Sequence, residues 1–136
     1  MTPNSDYAAL ILRVSSGALF IAHALLKVFV FTLPGTVGYF ESLGLPGFLA
    51  YVTILVELGG GIALVLGVAT RAVSVALIAV LLGATWAHAG NGWVFSSANG
   101  GWEFPLFWAI VQGAIALLGS GAYALKPSAQ SAAVTA

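Results

Sequence analysis

The sequence carries four Lys or Arg, four Asp or Glu and two His side chains, so the few that fall inside apolar stretches stand out as chemistry. Glu57 sits near the middle of the apolar run 48–69, followed at once by Leu58 and three glycines, Gly59, Gly60 and Gly61. Such a run crosses a bilayer at about 1.5 Å per helical residue against a hydrocarbon core roughly 30 Å thick. A charge at that depth costs on the order of 2.5–3.5 kcal/mol, which aliphatic neighbours at about −0.3 to −0.6 kcal/mol each offset. Glutamate is too short to reach the interface from mid-span. Glu57 must therefore be protonated, paired or hydrated, and it marks a candidate ligand or proton site.

Its expected partners lie on the first apolar run. His23 and Lys27 are four residues apart and share one helix face. Arg13, Gly17, Phe20, Ala24, Lys27 and Phe31 repeat at alternating three–four spacing, the pattern of a seam facing other helices. Counting back from the ends of their runs places His23 at about 12 Å and Glu57 at about 15 Å, overlapping depths. His88 and Glu103 close the third run and open the fourth on that same side. The candidate ligand or proton site is thus His23, Lys27, Glu57, His88 and Glu103. Gly60 and Gly61 leave volume on the Glu57 face and, with Trp86 and Trp102, form the candidate pocket lining. Gly59, Ala63 and Gly67 form a small-residue stripe suited to helix packing. Arg13 and Arg71 are assigned to structure and topology. No fixed ligand spacing supports a metal site, and bis-histidine haem ligation by His23 and His88 finds little room among four short helices.

The elements that hold these residues follow from composition. The chain is 60% hydrophobic and 6% charged, against roughly 25% charged in a soluble domain. It reads as an integral membrane protein of one domain, 1–126. A formal charge of zero and the lack of a basic run argue against nucleic acid. The absence of cysteine removes disulfides, iron–sulfur clusters and thiolate chemistry. The fold class expected is all-α: a polytopic, antiparallel four-transmembrane-helix bundle with spans at 8–31, 48–69, 72–88 and 104–125. Only Thr70 and Arg71 separate the second and third spans, which forces a helical hairpin. Residues 32–47 read as a connector, 89–101 as a polar loop and 127–136 as a disordered cytoplasmic tail. Arg13, Arg71 and Lys126 fall on one side and Lys27 on the other, so both termini are expected in the cytoplasm. Trp86, Trp93, Trp102 and Trp108 fall at the outer end, as an interfacial belt or as a lid over a site.

These residues carry a resemblance. The segment LRVSSGALFIAHALLKVF, the string VELGGGIALVLGVATR, the ending ATWAHAG and the segment GGWEFPLFWAIVQGAIALLGSGAYAL are together similar to the DoxX family over about residues 8–126. Ala24, Trp102, Phe104 and Lys126 depart from the family pattern. The resemblance implies a four-helix bacterial inner-membrane protein tied to respiratory or redox metabolism, with Arg13, His23, Lys27, Glu57, Arg71, His88 and Glu103 at matching positions.

Three functions compete. The leading expectation is a redox accessory subunit, a non-catalytic part of a quinone-linked oxidoreductase, that binds quinone or a small lipophilic ligand near the outer leaflet. The second is a membrane anchor or assembly partner for redox or antioxidant enzymes, with Lys27 or His23 merely neutralising Glu57. The third is a small transporter. The lipid bilayer is the first partner; redox-enzyme partners and a homo-oligomer are the others. Redox chemistry would need quinone or a partner.

Overall fold

The computed structural model describes residues 2–129. Position 1 and positions 130–136, which hold most of the expected tail, lie outside the described residues.

The first helix, α1 (Pro3–Phe29), starts earlier than the apolar run because polar residues begin it well. The Thr2 hydroxyl accepts the Ser5 amide, Pro3 occupies the first turn and Asp6 faces the positive helix end. The connector expected at 32–47 contains a helix, α2 (Leu33–Ser42). Pro34 and Gly35 look like breakers, yet both sit in the first turn, where proline is well tolerated. Thr32 caps it by accepting the Gly35 amide, and the Thr36 hydroxyl donates to the Lys27 carbonyl, which seats α2 on the end of α1.

The helices α3 (Phe48–Leu66) and α4 (Thr70–His88) form the expected hairpin, with a shifted turn. Gly67, in the left-handed region at φ 72°, ends α3, and Val68 donates back to the Ala63 carbonyl. Thr70 and Arg71, expected between the spans, instead form the first turn of α4. A single 3-10 turn, Ala89–Asn91, follows.

The last helix, α5 (Glu103–Leu118), is shorter than the expected span 104–125. Its 16 residues cover about 24 Å. Gly119, Gly121 and Tyr123 all take positive φ, and the chain 119–126 becomes a strap across the bundle end. Ala122 donates to the Asp6 carbonyl, while Leu125 and Lys126 donate to the Leu66 and Gly67 carbonyls. Ser128 and Ser120 exchange two hydrogen bonds, each amide donating to the other's hydroxyl. The expected disordered tail therefore does not begin at 127.

Among the described residues, three helices, α1, α3 and α4, are long and apolar enough to cross a membrane, and α5 is a shorter apolar helix. The protein is an all-helical membrane protein. The helix α1 packs on α3 and α5, and α4 packs on α3 and α5, closing a ring. The seam read from the sequence faces inward from Arg13 to Ala24, while Phe31 at its far end is exposed. Both described chain ends and the α3–α4 turn share one end of the molecule; α2 and the 92–102 loop lie at the other.

Candidate functional site

Helix packing sets the register that brings polar groups together. Gly17 and Gly61 lie back to back where α1 crosses α3. A methyl on Gly17 would meet the Gly61 oxygen at 2.7 Å, and one on Gly61 would meet the Gly17 oxygen at 2.8 Å. Gly60 faces Leu77 of α4. The volume expected beside Glu57 at Gly60 and Gly61 is thus filled by neighbouring helices, whereas Gly59, read as a packing residue, faces open space.

With α1 and α3 so close, Lys27 meets Glu57. The ammonium donates to both carboxylate oxygens, at 2.8 Å to Oε2 and 3.1 Å to Oε1. Glu57 is 6% exposed, and Lys27 comes from the last turn of α1. Each charge has its partner.

Arg13 solves the same problem without an acid. Its side chain is 1% exposed and donates to four carbonyls: Ser120 at 2.6 Å, Leu64 at 2.9 Å, Val65 at 2.7 Å and Ala122 at 2.8 Å. The Leu64 carbonyl also takes the Gly67 amide at 3.2 Å, but the Val65 carbonyl of α3 and the Ser120 and Ala122 carbonyls of the strap rely on Arg13, whose fork serves both segments at once. Arg71 lies nearby, its guanidinium against Gly119.

Between these two levels runs a buried polar chain that the candidate residues did not include. The Trp108 indole donates to Ser16 at 2.8 Å, Ser16 to the Gln112 carbonyl oxygen at 2.7 Å, and the Gln112 amide to Ser74 at 2.9 Å. It joins α1, α5 and α4. A lone glutamine in a helix as apolar as α5 was the available signal, since a buried amide needs partners. Trp108, expected at the interface with the other tryptophans, is instead 6% exposed; Trp86 and Trp93 are exposed and Trp102 is half-buried.

His23 belongs to this level rather than to Glu57. Its Nδ1 bonds the Leu19 carbonyl at 2.8 Å, and its ring lies 5.0 Å from Trp108. Trp108 also packs on Phe20 at 4.2 Å and on Phe104 at 5.6 Å. That aromatic stack leads outward to an open groove of about 360 Å³ lined by Phe95, Glu103, Phe104 and Phe107. The loop 92–102 shapes its rim. Trp102 and Glu103 donate their amides to the Gly92 and Trp93 carbonyls, and Glu103 Oε1 accepts the Phe95 amide at 3.2 Å.

His88 bonds the Ala84 carbonyl through Nδ1 at 2.7 Å and lies against Gly100, while Asn91 holds the Asn99 and Gly100 carbonyls. The five candidates therefore divide into three places. Lys27 meets Glu57, His23 meets Trp108, and Glu103 opens the groove while His88 supports the loop. Among the described residues, no three His, Asp or Glu gather as a metal site would need. The arrangement offers an aromatic surface with one carboxylate, backed by rings and a rigid polar chain.

Comparison with known proteins agrees on the class. A protein from Bacillus subtilis named "Putative oxidoreductase CatD" is 40% identical over 84 residues, 62% of this chain and 61% of its own length. The inner membrane protein YqjF of Escherichia coli is 38% identical over 66 residues, 48% of this chain and 49% of its own. The chain thus spans about six tenths of the first relative and half of the second. No solved structure matches. The DoxX family model matches residues 8–90, from α1 through α4, and stops short of the groove. Over that stretch, and with the helices that carry it laid out, the chain belongs to the DoxX family.

Proposed function

We propose that the protein is a membrane-embedded accessory subunit of a redox system and takes a quinone-class aromatic ligand in the groove of Phe95, Glu103, Phe104 and Phe107. One observation carries this reading: the groove is lined by aromatic rings at the loop end and continues through Phe104 into the Trp108–His23 stack. Small-ligand sites are mostly apolar and aromatic, with a few placed polar groups, and range over roughly 300–1,000 Å³. A ring with a lipid tail can enter from the bilayer and lie on these phenylalanines. The name of the Bacillus relative, an oxidoreductase, supports the redox setting. Electrons would pass between the ligand and a partner enzyme, since the ligand supplies the redox group.

The Lys27–Glu57 bond favours a structural account of those two charges, in line with an anchoring role for α1 and α3. We accordingly propose Glu103 and the aromatic stack as the ligand site. Orientation follows the basic residues. Arg13, Arg71 and Lys126 gather at the end that holds the described termini, which supports a cytoplasmic face there and an outward-facing groove. The name of the Escherichia relative supports the inner membrane.

Organic extraction of the purified protein followed by mass spectrometry for quinones tests the ligand. Near-stoichiometric quinone in the native protein, reduced at least about tenfold in Phe107→Ala, is the expected result. A quinone-free protein that also fails to bind added quinone would end this reading. A periplasm-dependent reporter fused after Trp93 should be active, and one fused after Lys126 inactive. The reverse pattern would invert the orientation.

A further inference from the structure

We infer that the groove selects the reduced, hydroxyl-bearing form of its ring, a quinol or phenol, over the quinone. The inference rests on the proposed ligand class and adds which redox form is held. It comes from counting donors and acceptors. The lining has three phenylalanines and a single polar side chain, Glu103. A carboxylate only accepts hydrogen bonds, and so do the two oxygens of a quinone. Facing one another, they repel and neither gains a partner.

Of the neighbouring donors, all but the Phe104 amide are already spent. The Phe95 amide goes to Glu103 Oε1, the Glu103 amide to the Trp93 carbonyl and the Leu106 amide to the Trp102 carbonyl. Position 105 is a proline and has no N–H. The Trp108 indole, next in the stack, donates to Ser16. Among the described residues, Glu103 Oε2 receives no donor, while its partner oxygen is held by the loop. A quinol hydroxyl laid on the phenylalanines would donate to Oε2, a hydrogen bond to a charged acceptor and hence a strong one. The quinone gains no bond to the charge and has only the neutral Phe104 amide as a donor, a weaker partner. The Phe95–Glu103 contact also fixes the carboxylate in place, so it need not be ordered on binding.

The test uses the full chain in lipid nanodiscs, with duroquinol kept anaerobic and duroquinone as probes. Each is titrated by calorimetry against empty nanodiscs. Duroquinol should bind at least about tenfold more tightly, the scale of one charge-assisted hydrogen bond. Glu103→Gln presents an amide that can donate as well as accept, so the preference should vanish or reverse. Circular dichroism and a melting curve check that this variant is folded. Phe107→Ala should weaken both probes alike. Equal affinity of the two forms for the native protein would overturn the selectivity and leave the proposed function standing. A preference for duroquinone would also overturn it and would assign the choice to the Phe104 amide, the remaining N–H of that first turn. Binding that Phe107→Ala leaves untouched would place the ligand elsewhere and end the inference. Absence of binding by either probe would end it together with the proposed function.

Discussion

At the end of the molecule that holds the described termini, the Arg13 guanidinium gives hydrogen bonds to four carbonyls from two separate segments and is sealed from solvent. At the loop end, the Glu103 carboxylate uses one oxygen to hold Phe95 and turns toward an open aromatic groove. Both are ionisable residues carried on apolar helices. Their difference lies in spare bonding capacity. Arg13 has its partners in the fold, so its chemistry is consumed in holding the fold. Glu103 keeps an oxygen unspent, so it remains available to something that arrives. The Lys27–Glu57 pair belongs with Arg13 in this respect, although it lies toward the other end. A charged residue inside a membrane is a functional candidate only until its partners are counted.

Removing Arg13 gives the sharpest test of that contrast. Arg13→Ala orphans the Val65 carbonyl of α3 and the Ser120 and Ala122 carbonyls of the strap, each costing about 1–3 kcal/mol when buried without a donor. The loss should total at least about 3 kcal/mol in detergent unfolding, with much lower expression. Arg13→Lys should recover little, because an ammonium lacks the planar fork that spans two segments. A stable Arg13→Ala protein would erase the distinction between the two ends.

Glu57→Ala comes next. It strands the Lys27 ammonium, yet Lys27 lies in the last turn of α1 and can turn toward the interface. That relief should hold the loss to about 2 kcal/mol, against 3–5 for a fully buried pair. Glu41→Ala, at an exposed position of α2, should change stability by no more than about 0.5 kcal/mol. The double change Lys27→Met with Glu57→Leu should be milder than Glu57→Ala alone, since no charge is left behind. Equal effects of Glu57→Ala and Glu41→Ala would show that the pair holds nothing together.

Gly17→Ala places a methyl within 2.7 Å of the Gly61 oxygen, so α1 and α3 must part slightly. Overpacking of this kind costs about 1–3 kcal/mol. Gly59→Ala, facing open space, should be neutral or slightly stabilising as the better helix former. The two melting curves compare a close crossing with a free face on otherwise similar helices.

The smallest effect on stability is expected at the groove. Phe107 is 64% exposed, so Phe107→Ala should shift unfolding by no more than about 0.5 kcal/mol while weakening ligand binding. Trp108→Phe, which keeps the ring stack but loses the bond to Ser16, should cost about 1 kcal/mol. Phe107→Ala destabilising the fold as strongly as Arg13→Ala would make the groove a structural core.

Much of the helix order was legible because period and composition act locally. The apolar runs, the α3–α4 hairpin and the inward seam from Arg13 to Ala24 follow from spacing alone, whereas the turn, expected at Thr70 and Arg71, falls at Gly67. The elements misread were those whose geometry is decided by contact. The connector hid α2 because its Pro34 and Gly35 look like breakers, although both sit in a first turn seated on α1 by Thr36. The expected fourth span, 104–125, exceeds α5 because Gly119, Gly121 and Tyr123 take positive φ and turn the chain out of the helix. The strap it forms is anchored by Asp6, Leu66 and Gly67, remote in sequence.

The sequence by itself determined that this is a helical membrane protein, where its charges lie along each helix, and that Glu57 needs a partner. Those are consequences of hydration cost and helical pitch, which each segment carries alone. Tertiary structure decided which partner: the Gly17–Gly61 crossing brings Lys27 rather than His23 to Glu57. It also turned Trp108 inward onto Ser16, gave Arg13 its carbonyls, and left Glu103 with an unused oxygen beside three aromatic rings. Partner choice depends on the rotation and separation of packed helices, and these are set by side chains that are distant in sequence and adjacent only after folding.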